Sequence, residues 1–295
     1  MANKILFIVN PTSEIINIKD TESLISGFAG KHKFNWQIHY TEKCNSEEKI
    51  NKKIQNFLPD LIIAAGGDGT VNQVASQIIG SNIEMGIIPA GSANGLAYNL
   101  DIPSDFKEAL HLALTAEAKP LDAIQLNENN YCFHLSDAGI NARIVKRFES
   151  EGSKGLAGYG KQMLKELFSK RSAFSFCIDT PQKSKRYRAE MLVIANARCF
   201  GTGAVINPFG HPDDGEFEIV IIRPYPWWIL FYLIRMFLFG KLEKLKYIHI
   251  IKTKKASISF DKSHDMQTDG EIVKGIESLQ VKIIPSALKV RYKKV

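Results

Sequence analysis

From Lys4 to about Leu121, short apolar runs alternate with stretches whose apolar residues recur at helical spacing. The runs Lys4–Val9, Asn35–Tyr40, Leu61–Ala65 and Met85–Ile88 predict strands. Leu61–Ala65 is apolar throughout, as a strand buried on both faces must be. Ser23–Gly30, Ser46–Phe57 and Phe106–Thr115 predict helices between and after them. Such alternation predicts an α/β N-terminal domain with a doubly wound parallel sheet. From Ala123 the pattern changes. Ala123–Leu126, Asn130–Ser136, Phe174–Asp179, Arg186–Ile194, Phe217–Ile222, Ala256–Phe260, Leu279–Ile284 and Leu288–Tyr292 read as strands. Two helical stretches, Lys154–Ser169 and Trp227–Phe239, interrupt them. A mainly antiparallel β-sandwich C-terminal domain follows. The expected division is 1–122 and 123–295, and a chain of 295 residues has room for both cores.

The strand Leu61–Ala65 stops at Gly66-Gly67-Asp68-Gly69-Thr70, after which Val71, Val74, Ala75, Ile78 and Ile79 return to helical spacing. A strand turning through glycines into a helix N-terminus makes an anion site: backbone can approach phosphate oxygens, and the helix dipole favours negative charge. A bare carboxylate there would repel phosphate, so Asp68 makes sense with a cation, most simply Mg²⁺, between them. The plainer alternative is a tight turn with Asp68 as a helix cap. A second such turn follows Met85–Pro89, where Ala90-Gly91-Ser92-Ala93-Asn94-Gly95 leads into Leu96–Leu100. Ser92 and Asn94 can present short polar side chains to a phosphate or to adenine. Two glycine-rich strand ends so close in sequence suggest neighbouring strands whose carboxyl ends face one crevice.

Gly66–Thr70, then Gly91-Ser-Ala-Asn94, then Leu100-Asp-Ile-Pro103 resemble the catalytic domain of the diacylglycerol kinase family, in the bacterial lipid kinase branch related to sphingosine and ceramide kinases. The resemblance continues through Ser136-Asp-Ala-Gly-Ile-Asn-Ala142, Asn196–Gly203, Asn207-Pro208, Asp213-Asp-Gly215 and Asp269-Gly-Glu271. NAD kinases and phosphofructokinases also carry Gly-Gly-Asp-Gly, so it is the ordered set that is specific. The resemblance implies an ATP-dependent lipid kinase with its active site in the interdomain cleft and a final strand, near 286–295, that returns to the first domain. Gly66, Gly67, Gly69 and Gly91 would offer backbone to the nucleotide, with Thr41, Thr70, Asn72, Ser92 and Asn94 near it. Asp68 would hold the Mg²⁺ shell, Glu271 would be the general base and Asp269 its neighbour in the metal network. From composition alone, Thr268–Glu271 is only an acidic turn. The resemblance further implies a structural divalent ion on Asp214, beside Asp213 and the carbonyls of His211 and Glu216. His211-Pro212 departs from the family pattern there.

Gly95 stands where bacterial relatives often have aspartate, which leans toward the sphingosine and ceramide kinase form. Arg143 stands about where sphingosine kinases carry an acid, and it would repel a sphingoid ammonium. A neutral acceptor such as diacylglycerol, or an anionic one such as phosphatidylglycerol, fits better. NAD kinase is the rival enzyme, with Asn127-Glu128 at about the spacing of its ribose-binding pair. A module of the same fold that binds nucleotide or lipid without chemistry is the other alternative.

Composition and the remaining segments add further expectations. Cys44, Cys132, Cys177 and Cys199 show no ligand or disulfide spacing, which suits free thiols in a reducing, cytoplasmic compartment. The N-terminus runs directly into a strand without a signal-peptide pattern. The net charge is +7, with basic residues gathered at Lys161–Arg171, Lys183–Arg188, Lys241–Lys246 and Lys252–Lys255 and no nucleic-acid motif among them. A solvated basic face or an anionic membrane surface would each account for that. Pro226–Phe239 is shorter than the ~20 apolar residues of a spanning helix and contains Arg235. Its Trp227, Trp228, Phe231 and Tyr232, with Lys241, Lys244 and Lys246, suit either core packing or a peripheral contact with the inner membrane surface. A homodimer is also allowed.

Overall fold

The computed structural model describes residues 2–13, 18–42, 46–139, 173–201, 203–226, 228–229, 232, 235 and 245–293. Several expectations lie outside these residues: the helix Lys154–Ser169, Arg143, the basic residues Lys161, Lys170, Arg171, Lys241 and Lys244, Cys44, Trp227, Phe231 and most of the remaining stretch to Phe239. The chain forms two compact units, Met1–Leu121 with Ser286–Val295, and Asp122–Pro285.

In the first unit β1 (Lys4–Val9), β2 (Asn35–Tyr40), β3 (Leu61–Gly66) and β4 (Glu84–Pro89) are parallel. Their order is β2-β1-β3-β4, and the last residues of β14 (Glu271–Arg291) extend the sheet beside β4. β3 is buried at every position, as its apolar run requires at the middle of a parallel sheet. The helices are α1 (Ile18–His32), α2 (Ser46–Phe57), α3 (Asp68–Ile78), α4 (Gly95–Asn99) and α5 (Phe106–Thr115). α1 extends beyond the expected Ser23–Gly30 at both ends. The Asp105 carboxylate caps α5 by accepting from Lys107 N and Glu108 N, each at 3.0 Å. Arg291 pins the end of β14: Nε donates to Glu84 Oε2 at 2.6 Å, and Nη1 donates to the Leu114 carbonyl at 2.8 Å. A chain that runs out to β2 on one side of β1 and back to β3 on the other has a switch point between β1 and β3, where open α/β sheets receive ligands.

The second unit is mainly antiparallel. β5 (Ala118–Leu126) carries the chain into it and forms a hairpin with β6 (Asn130–Cys132). β7 (Leu135–Gly139), β10 (Met191–Ala195), β11 (Phe217–Ile222) and β12 (Ile248–Thr253) form a run with β13 (Lys255–Thr268) in the order β12-β11-β10-β7-β13-β14. β8 (Phe174–Asp179) and β9 (Ser184–Ala189) form a hairpin on the first half of β13. Residues 257–260 of β13 pair with β8, residues 266–268 pair with β7, and the register shifts in between. An irregularity at that place lets one strand serve two layers. Phe176, Phe217, Ile194, Ile258 and Met266 belong to the core packed between those layers.

Three strand expectations are corrected. Arg186–Ile194 is two strands, β9 and β10, interrupted at Glu190 because β9 pairs with β8 while β10 pairs with β7 and β11. Asn130–Ser136 divides likewise into β6, which pairs with β5, and β7, which pairs with β10 and β13. Leu279–Ile284 and the expected strand from Leu288 belong to one strand that runs from Glu271 to Arg291 and leaves out Tyr292, with Ser286 at φ 49° between them.

Candidate functional site

The loops after β1, β3 and β4 leave the carboxyl ends of adjacent parallel strands, and the two glycine-rich ones are in contact. Gly66 and Pro89 are register partners at the ends of β3 and β4, and Ala90 N donates to the Gly66 carbonyl at 2.8 Å. Beyond them the backbones converge until a Cβ on Gly67 would lie 3.2 Å from Gly91 Cα, and one on Gly91 would overlap Gly67 Cα. Only glycine allows that approach. Asp68 opens α3 in its first turn, half-buried, and its Oδ1 accepts from Leu96 N of α4 at 3.4 Å. One carboxylate thus lies against both loops, at a helix start where negative charge is favoured.

Other side chains of this group serve the loops themselves. Asn94, at φ 51°, closes a ring on Gly91: its Oδ1 accepts from Gly91 N at 2.8 Å and its Nδ2 donates to the Gly91 carbonyl at 2.7 Å. Thr70 is buried and its side chain lies on Gly66, where a Cβ would overlap it. Asn72 is half-buried and its Oδ1 accepts from Ser76 Oγ at 3.2 Å. Ser92 is exposed at the tip of the second loop, and Gly69 is half-buried in the first turn of α3. Thr41 follows β2, its N–H donating to the Val9 carbonyl at 2.9 Å. The loop after β1 went unnoticed in the sequence. Asn10 Oδ1 accepts from Thr12 N at 3.0 Å and Thr12 Oγ1 at 2.8 Å, while Ser13 Oγ donates to the Ala90 carbonyl. A strand followed by Asn-Pro-Thr was the available signal for that turn.

In the second unit Thr268-Asp-Gly-Glu271 is the tip of the β13–β14 hairpin, with Thr268 and Glu271 as register partners. Asp269 at φ 46° and Gly270 at φ 92° form a two-residue turn with both φ positive, the arrangement Asp-Gly favours. Asp269 is buried. Its Oδ2 accepts from Phe133 N at 2.8 Å, and its Oδ1 accepts from His134 N at 3.0 Å and Leu135 N at 3.2 Å. Burial, and then the Asp269 carboxylate, push the neighbouring Cys132 thiol well above its usual range. Gln267 braces the turn from inside, its Oε1 accepting from Gly270 N at 2.7 Å and its Nε2 donating to Asp137 Oδ2 at 2.6 Å. Ser136 Oγ meets Thr268 Oγ1 at 2.8 Å. The fold therefore joins Ser136-Asp137 to Asp269–Glu271, two motifs far apart in sequence. Glu271 itself is exposed.

The loop 211–216 lies elsewhere in this unit, before β11. Asp122, buried and absent from the sequence expectations, orients it by accepting from Gly215 N at 2.6 Å. Asp214 Oδ1 accepts from Glu216 N at 3.0 Å, and its Oδ2 lies 2.8 Å from Lys252 Nζ. Asp213 is half-buried and His211 exposed. Among the described residues no group of three or more His, Cys, Asp or Glu side chains converges as metal ligands. The expected divalent ion on Asp214 does not fit this arrangement, because both carboxylate oxygens are engaged and one of them faces an ammonium.

The family described as "Diacylglycerol kinase catalytic domain" matches residues 4–126, and "YegS C-terminal NAD kinase beta sandwich-like domain" matches residues 136–292. The chain belongs to the diacylglycerol kinase catalytic-domain family, in its bacterial lipid kinase branch. One family member, "Probable lipid kinase YegS-like" of Yersinia enterocolitica serotype O:8, is 27% identical over 79% of this chain and 78% of that protein. Another of the same description, from Pectobacterium atrosepticum, is 30% identical over 60% of this chain and 59% of that protein. Among solved structures, "The crystal structure of a diacylglycerol kinases from Bacillus anthracis str. Sterne" matches with a TM-score of 0.78 at 22% identity. It covers 99% of this chain and 98% of that one. The shared architecture is thus an α/β parallel-sheet domain and an antiparallel β-sandwich. A kinase of this family uses ATP as its phosphoryl donor.

Proposed function

We propose that this chain transfers the γ-phosphoryl group of ATP to the hydroxyl of a glycerolipid, diacylglycerol or a relative such as phosphatidylglycerol. The observation that carries the reading is the contact of the two glycine loops, with Asp68 against both, at the carboxyl ends of parallel strands in a chain of this family. Backbone at Gly66, Gly67 and Gly69 would meet phosphate oxygens, with Gly91 holding the second loop against the first and Thr41, Thr70, Asn72, Ser92 and Asn94 shaping that surface. Asp68 would hold Mg²⁺ arriving with the nucleotide, and the ion's charge would offset that developing on the transferred phosphoryl group. In the second unit Glu271 accepts the proton of the lipid hydroxyl as its oxygen bonds to the γ-phosphorus. The bond from that phosphorus to the β–γ bridging oxygen breaks, and ADP leaves. Asp269, held by three backbone N–H groups, fixes the turn that presents Glu271. The acceptor is reached at the anionic inner surface of the cytoplasmic membrane.

The test is turnover of Mg-ATP with vesicles that contain diacylglycerol, phosphatidylglycerol or ceramide, and separately with NAD. Phosphorylated glycerolipid supports the proposal. Phosphorylation of ceramide alone would move the acceptor class, and of NAD alone would favour the rival kinase. ATP binding without any product would leave a module that binds and does no chemistry.

A further inference from the structure

Lys252 reads in the sequence as part of a basic surface run, yet its ammonium lies among carboxylates. Its position is set by sheet register: Lys252 on β12 is the direct antiparallel partner of Glu218 on β11. From there Nζ reaches Asp214 Oδ2 at 2.8 Å, Glu216 Oε2 at 3.4 Å and Glu218 Oε1 at 3.7 Å. The Asp214 contact is a hydrogen bond, and the Glu216 and Glu218 carboxylates lie farther off as ion pairs, with the lysine side chain itself 41% exposed. Glu218 is buried, and its other oxygen accepts from Asn207 Nδ2 at 2.7 Å. The remaining oxygen of Asp214 is taken by Glu216 N, and Asp122 secures the loop at Gly215.

We infer that Lys252 is a built-in cation that clamps the 211–216 loop to β11 and β12 in place of a divalent ion, so this chain holds the loop without metal. A divalent ion on Asp214 would have to sit beside the Lys252 ammonium or displace it. The ammonium is tethered, so the clamp does not depend on free ion concentration. This inference concerns the loop alone and stands whichever lipid is phosphorylated.

Thermal unfolding of the full chain, free of nucleotide, in EDTA and in millimolar Ca²⁺ tests it, together with equilibrium dialysis of Ca²⁺. The wild-type protein should unfold at the same temperature in both solutions. Lys252→Met, which keeps the stem and removes the charge, should unfold at lower temperature in EDTA and recover in Ca²⁺, as Asp214, Glu216 and Glu218 close on the added ion. Lys252→Arg should remain indifferent to Ca²⁺. A wild-type Ca²⁺ stabilisation or a bound equivalent that Asp214→Asn abolishes would overturn the inference, as would a Lys252→Met protein indifferent to Ca²⁺. If Lys252→Met does not fold, the wild-type and Lys252→Arg measurements still decide.

Discussion

Asp269 and Glu271 are separated by one glycine and meet opposite environments. Asp269 is buried and accepts from the N–H groups of three consecutive residues, 133–135, whereas Glu271 is exposed at the start of a strand. Their isosteric variants should therefore fail in different ways. Asp269→Asn sets an amide against backbone donors in a buried place, and a lost buried bond of this kind costs about 1–3 kcal/mol. Urea unfolding should show that loss, and an unchanged midpoint would remove the structural role. Glu271→Gln keeps shape and loses basicity, so kcat should fall by about 10²–10⁴-fold while ATP affinity and unfolding midpoint stay put. Unchanged turnover would send the search for the base to another group. The sequence marked both acids, and only the fold divided holding the turn from presenting a carboxylate. Lys252 shows the converse, since nothing in Ile-Lys252-Thr announces three carboxylates around an ammonium.

At the scale of elements, local chemistry was the legible part. An apolar run, a glycine turn and helix-spaced apolar residues specify β3, its loop and α3, because each is a short-range preference of the chain. Asp-Gly likewise specifies the hairpin tip at 269–270, a signal stronger than the plain acidic turn read from composition. The spacing of the two glycine loops hinted that they are neighbours, and the β3–β4 register makes them so. A prediction belongs here. Gly91→Ala places a methyl group into Gly67 Cα, so the loops must move apart. Overpacking of this kind costs about 1–3 kcal/mol. ATP affinity by calorimetry should fall together with the unfolding midpoint; a variant that binds ATP normally would show that the close approach does not shape the nucleotide surface.

At the scale of the whole molecule the question is what surface the chain presents to a lipid. No helix among the described residues is long and apolar enough to cross a membrane. Lys185, Arg186 and Arg188 are exposed along β9, although Arg186 pairs with Asp261. Trp228 is 60% exposed while its neighbour Ile229 packs against a buried cluster. Binding to anionic vesicles should exceed binding to neutral ones and weaken as salt shortens the Debye length below about 10 Å. Equal sedimentation with both vesicle types at low salt would leave the basic residues as a solvated face. By itself the sequence determined the local grammar: the two glycine-rich turns, the strand-rich second half and the family to which their order points. Such features follow from dihedral preference and hydrophobic period over a few residues, which any one segment carries. The tertiary structure alone decided where Arg186–Ile194 breaks, that Asp269 is buried and that Lys252 faces three carboxylates. Those outcomes depend on strand partners many residues away, and a side chain's charge, burial and bonding are set by the neighbours that pairing brings to it.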